Sequence, residues 1–250
     1  GLLGVFGLAL HEPGKTLWAA SSALPHVAGL DAGDKGRAGI FAFDLAGRLT
    51  KRVMLPADGG EHVLGDLTVS KTGDVYTTDS AGPSVYRLSP GGDTLETLIS
   101  SDTFHSLQGV ALSPDQSRLA VADYSNGIHV VDLAKRTSTL LAMPPHTTLH
   151  GVDALVAFGR DLLGVQNGIA PQRVIRIRLD PAWTAIEGVD VLAANLPDMD
   201  EPTLATRVED DLLVIGNGQW SRFKDDGTLD GSAPFAPTRI VRLKLPKVRP

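Results

Sequence analysis

The sequence predicts an all-β chain folded as a β-propeller of four-stranded blades, and three observations predict it. One phrase recurs five times: "VFGLALHEPGKTLWAAS" at 5–21, "HVLGDLTVSKTGDVYTTD" at 62–79, "FHSLQGVALSPDQSRLAVAD" at 104–123, "LHGVDALVAFGRDLLGVQN" at 149–167 and "DEPTLATRVEDDLLVIGN" at 200–217. Each copy is an apolar alternating stretch, a short polar break, a second apolar stretch and a closing Ser, Asp or Asn. Its spacing is the second observation: the second stretches begin near Leu17, Val75, Leu119, Leu162 and Leu212, about 43 to 58 residues apart, as blades of several short strands require. Third, no stretch carries a sustained helical period with caps.

Within each unit the order of elements is the same. An inner strand of small and apolar residues comes first ("GLALH", "DLTVS", "GVALS", "ALVAF", "TLATRV"). A turn rich in Gly, Pro, Asp and Ser follows ("EPGK", "KTGD", "PDQS", "GRD", "EDD"), as hairpins demand. After the second strand and a loop comes a third strand ("GIFAFDL", "SVYRLS", "IHVVDL", "VIRIRLD", "RIVRLKL"), usually with a weaker outer fourth ("TKRVMLP", "LETLIS", "TSTLLAM", "GVDVLAAN"). In "RVIRIRLD", Val174, Ile175, Ile177 and Leu179 pack while Arg176 and Arg178 point the other way. The five blades span roughly 3–56, 60–100, 104–143, 149–195 and 201–246 of a single propeller domain. They form either a five-bladed ring or most of a six-bladed one whose missing blade precedes Gly1.

Composition narrows the partners. With 250 residues the chain can bury a large core without help. A net charge of −6 argues against nucleic acid, because phosphate binding needs a dense basic patch. The most basic stretch, "TRIVRLKLPKVRP", holds five Lys or Arg and reads as the solvent face of an edge strand plus a tail. The opening "GLLGVFGLAL" is too short for a bilayer and reads as a buried strand, so no membrane is expected. Without cysteine the chain suits secreted, periplasmic and cytoplasmic compartments alike.

"QGVALSPDQSRLAVADYSNGIHVVDL" and "GDLTVSKTGDVYTTDSAGPSVYRLSP" resemble the blade signature of the senescence-marker-protein/gluconolactonase family of six-bladed propellers. The resemblance implies the six-bladed count. It also implies a divalent metal, calcium first, bound by side chains at the starts of inner strands. That cation would polarise a carbonyl or phosphoryl oxygen while a carboxylate acts as base or nucleophile. Carried over, it places Asp153 at the family's Asp, Gln108 where the family writes Asn, Glu201 in a Glu-Pro context and Asp66 near the second Asn position. The implied activity is a lactonase-type or esterase-type hydrolase acting on a small molecule at the channel mouth. The alternative is a non-catalytic propeller that binds a ligand or protein partner on its top face.

Histidines add a second set of candidates. His62, His105 and His150 each precede an inner strand, with His146 nearby, so equivalent blades would ring one mouth with imidazoles. They are either solvated rim residues or general bases; joined with Asp66, Asp153 and Glu201 they would suit ester or lactone hydrolysis, or elimination across a ring, with a transition metal. His105 and His150 are the candidates to move protons. The loops "QNGIAPQR" and "GNGQWSRF" offer Asn167, Trp220 and Arg222 as walls of a pocket for an anionic or cyclic substrate. The closing residues Asp79, Asp123, Asn167 and Asn217 recur at one position, which suits a structural turn in every blade. The 22–37 loop is a lid or an insertion.

Overall fold

A computed structural model describes residues 2–224 and 226–248. They form five antiparallel meanders, the blades of a β-propeller. The first holds β1 (Gly4–His11), β2 (Thr16–Ser22), β3 (Ala38–Asp44) and β4 (Leu49–Met54). The second holds β5 (Leu64–Val69), β6 (Val75–Asp79), β7 (Ser84–Leu88) and β8 (Glu96–Ser100). β9 (Leu107–Leu112), β10 (Arg118–Asp123), β11 (Gly127–Asp132) and β12 (Thr137–Leu140) make the third. β13 (Val152–Phe158), β14 (Asp161–Gln166), β15 (Arg173–Leu179) and β16 (Ile186–Ala194) make the fourth. The fifth has three strands, β17 (Ala205–Val208), β18 (Asp211–Ile215) and β19 (Ile240–Lys244). Two three-residue 3₁₀ turns are the only helical elements among the described residues, and no helix is long and apolar enough to cross a membrane.

The five repeats read from the sequence therefore each fold as one sheet. The described residues hold five sheets, one for each repeat, as the sequence led one to expect of this chain.

The chain divides into two compact units. One contains the residues up to Val110 with Asp226–Thr228, and the other contains the rest from Ala111 on. In the first, Trp18, Ile40 and Val53 of one sheet pack against Leu64, Leu67 and Val75 of the next. In the second, Ile128 and Leu149 join Ile175 and Trp183 in one core, and Phe158, Leu163 and Val174 join Met199, Leu212 and Val214 in another. Second strands are buried along most or all of their length, as in β6, β10 and β14, because each lies mid-sheet with both faces covered. That is why they read as near-continuous small and apolar runs.

Arg176 alternates away from Ile175 and Ile177, as expected, and is buried on that face too. Its guanidinium lies 5.2 Å from the Phe158 ring centre, and its Nε donates to the fully buried Asp161 at 2.7 Å. The opening segment does form a strand, but Leu8 and Leu10 remain 59% and 50% exposed, so β1 is not buried along its length.

Three of the four turns between third and fourth strands follow one device. Asp44 accepts from the backbone N–H of Ala46 and Arg48, Asp132 from Ala134 and Lys135, and Asp180 from Ala182, Thr184 and Ala185. An Asp ending a third strand thus closes the next hairpin through its own carboxylate.

Candidate functional site

Inner strands carry a repeated irregularity. In β1, β5 and β13 the pairing slips by one residue between Val5 and Gly7, Leu64 and Asp66, and Val152 and Ala154. The extra residues are Phe6, Gly65 and Asp153. A bulge re-aims the side chain it carries, and Asp153 is the only one of these three with a titratable side chain.

Asp153 belongs to the second unit and is partly accessible. Asn167 Nδ2 donates to its Oδ2 at 2.8 Å and also to the Pro202 carbonyl at 2.9 Å. Asn167 Oδ1 in turn accepts from the Tyr124 hydroxyl at 2.8 Å. Burial pushes the Asp153 carboxyl up to about 6, against the lowering effect of the Asn167 bond. The Tyr124 phenol is raised as well, first by burial and then by the negative charges of Asp153 and Glu201, so at neutral pH it remains a donor.

Backbone geometry fixes this constellation. Gly151 has φ +71°, donates to the Tyr124 carbonyl at 2.7 Å and accepts from the N–H groups of Asn167 and Gly168. A Cβ on Gly168 would stand 2.5 Å from Gly151 Cα and 2.6 Å from the Tyr124 hydroxyl oxygen, so only glycine fits. Gln166 Nε2 braces the approach by donating to the carbonyls of Thr148 and His150.

Asn167 also lines an open pocket of about 480 Å³ between the 167–172 and 195–200 loops, shared with Ile169, Gln172, Asn195, Met199 and Asp200. Glu201, next to Asp200, donates its N–H to Gln172 Oε1 at 2.7 Å, while its carboxylate accepts from Ser221 N at 2.9 Å.

The other sequence candidates are placed as follows. Asp66, one residue past the bulge, faces away from the position that Asp153 occupies in its own strand, because a one-residue slip reverses the face. Its oxygens accept from Leu67 N at 2.8 Å and Val110 N at 3.3 Å, and Gly7 packs so closely that a Cβ there would lie 2.6 Å from Oδ1. Gln108 bonds the Ser80 and Ser106 hydroxyls. Among the described residues no three His, Asp or Glu side chains are grouped as a metal ion requires. The donors named for a cation are thus occupied in other ways and do not fit a shared ion.

His105 is exposed, as is His150, whose carbonyl carries its bond to Gln166. Trp220 is 42% exposed on a 3₁₀ turn, Trp220–Arg222. Arg222 is bonded to the Ala233 carbonyl and lies over the Phe235 ring at 4.5 Å, so its charge is committed to its own loop.

Two of the four closing residues, Asp79 and Asp123, bond the backbone of the turns that follow them, as expected, while Asn217 bonds the backbone of a segment distant in sequence. Asp79 accepts from Val63, Ala81 and Gly82 N–H, Asp123 from Ser125 N–H, and Asn217 accepts from Arg239 N–H and donates to the Pro237 carbonyl. Asn167 departs from them by joining two side chains. Tyr124 was missed by sequence reading; its only signal was adjacency to a closing Asp, with no spacing relation to Asp153.

In the first unit His62 forms a separate cluster: Nδ1 pairs with the buried Asp79 at 2.7 Å and Nε2 with Asp58 at 3.2 Å. Burial opposes its charge, but the bonds to the two carboxylates outweigh it and raise its titration above the ordinary 6.5. Stability from this pairing is therefore full below pH 6.5 and lost as pH rises through the folded-state value. Ring-proton NMR should show His62 titrating above 6.5, and His62→Gln should flatten the pH dependence of the melting temperature in that range. Titration below 6.5 would mean that burial wins.

No protein-family model matches the chain, and no curated protein matches it. Solved structures do. A streptogramin B lyase superposes with a TM-score of 0.61 at 14% identity, covering 98% of this chain and 70% of that one. Virginiamycin B lyase from Staphylococcus aureus gives 0.58 at 14% identity, covering 98% and 71%. The Pan2 WD40 domain of Neurospora crassa gives 0.60 at 15% identity, covering 96% and 62%. WD40 repeats are propeller blades, so these likenesses show the propeller fold and stop there.

Proposed function

We propose that the chain is a small-molecule hydrolase of the lactonase or esterase type in which Asp153 is the acid–base group, as the gluconolactonase-like blade signature suggested. The observation that carries the reading is the Tyr124–Asn167–Asp153 chain beside an open pocket. A desolvated carboxyl is held at a bulge by an amide that is itself held by a half-buried phenol. In the reaction, ionised Asp153 takes a proton from water as its oxygen bonds to the ester carbonyl carbon. When the carbon–alkoxy bond breaks, the proton passes to the leaving oxygen. A group titrating near 6 is mostly ionised at neutral pH and still basic enough to accept that proton. Asn167 orients the carboxylate, and Tyr124 orients Asn167. No step is routed through a metal, because the donor set does not fit one. That two of the solved neighbours are lyases supports enzymatic use of such a fold.

Tested on a panel of lactones and nitrophenyl esters, kcat/KM should fall below about pH 6, and Asp153→Asn should lower turnover at least ~100-fold. Full activity in Asp153→Asn would overturn the assignment. One observation favours a second reading, a non-catalytic propeller that binds a protein partner: the 220–235 segment exposes Trp220, Leu229 and Phe235 together.

A further inference from the structure

The pocket beside Asp153 has a one-sided charge. Asp200 is the only charged residue among those that line it, and its other polar side chains are the amides of Asn167, Gln172 and Asn195. Glu201 follows Asp200 directly and is tied to the pocket by Gln172, and Asp153 is tied to it by Asn167. No Lys or Arg lines the pocket, and the arginines of the adjoining segments bond to groups outside it. Arg173 donates to Gln166 at 2.7 Å, Arg239 faces Asp198 at 3.9 Å, and Arg222 is held by Ala233 and Phe235. Ile169 and Met199 supply the apolar lining.

We infer that this pocket selects substrates bearing a protonated amine, with the ammonium facing Asp200 and the hydrocarbon against Met199 and Ile169. A carboxylate set among these carboxylates would be repelled, so the anionic substrate expected from Arg222 is the disfavoured one. The choice of substrate rests on the hydrolase reading for its chemistry, whereas the binding preference stands on the pocket alone.

Three nitrophenyl esters of matched length test it: those of 6-aminohexanoic acid, hexanoic acid and the half-ester of adipic acid. The aminated ester should show the highest kcat/KM and the carboxylated one the lowest, about tenfold per step for one added interaction of opposite charge in a partly solvated site. Asp200→Asn should reduce the ratio of aminated to neutral ester about tenfold. Equal rates for these two esters, unchanged by Asp200→Asn, would overturn the inference and leave Asp153 as the base. If wild type hydrolyses none of the three and no lactone of the panel either, the hydrolase reading falls, and calorimetric binding of 6-amino-1-hexanol against hexanoate decides the pocket. Amine binding weakened about tenfold by Asp200→Asn upholds the preference. Absence of amine binding, or equal binding of hexanoate, ends it.

Discussion

Asp153→Asn is expected to make the protein more stable at pH 7 while abolishing its turnover. The folded protein holds the Asp153 proton up to about pH 6, whereas an ordinary Asp releases it near 3.8. The protonated folded state is thus favoured below the unfolded value, and that advantage is lost as pH climbs from about 4 to 6. Above 6 the ionised carboxylate remains a constant burden, worth about 2 to 3 kcal/mol at 1.36 kcal/mol per unit. Asn removes the charge and keeps an oxygen to accept from Asn167 Nδ2. The melting temperature at pH 7 should rise by roughly 5 to 10 °C for a domain of this size, and the difference from wild type should vanish below pH 4. A neutral or destabilising result would mean that the carboxylate is a structural anchor. Residues retained against stability mark functional sites, so the melting curve and the kinetic assay test one claim from opposite sides.

Arg176→Met is expected to cost about 3 to 5 kcal/mol, the usual loss when one member of a buried ion pair is removed. Asp161 has no exposed surface, and the change removes the guanidinium whose Nε donates to its Oδ2 at 2.7 Å. Methionine preserves most of the packing on Phe158, so the loss reports the stranded charge and not a cavity. Adding Asp161→Asn should restore more than half of the urea midpoint. If the double variant is as unstable as Arg176→Met alone, the stacking of the guanidinium on Phe158 carries the stability instead.

The strands were legible because each follows a local rule. Alternation marked the third strands, continuous small residues marked the second, and Gly, Pro and Asp marked the turns between them. Blade order then followed from repetition. The site was legible only where a residue type was distinctive: Asp153 and Asn167 stood out, but Tyr124 lies 43 residues from Asn167 and no period links them. Asp66, placed near the family's second Asn position, stands one residue after the bulge of its strand, whereas Asp153 is itself the bulged residue, so the Asp66 carboxylate accepts from Leu67 and Val110 N–H instead. Alternation placed Arg176 on its face, but whether that face is wet depends on the next sheet.

The contact of Gly151 with Gly168 has a bearing on how this protein can be altered. Neither position admits even a methyl group, because each glycine's added carbon would sit 2.5 Å from the other's Cα. The two would have to be changed against the backbone itself. Ile169 and Gln172 line the pocket from its loop without such a restriction, whereas Asn195, at φ +55°, stands where Asn or Gly is favoured. A library built for new substrates would therefore recover diversity at Ile169 and Gln172, keep Asn or Gly at 195 and return glycine at 151 and 168, so that selectivity can drift while the frame beneath it stays fixed.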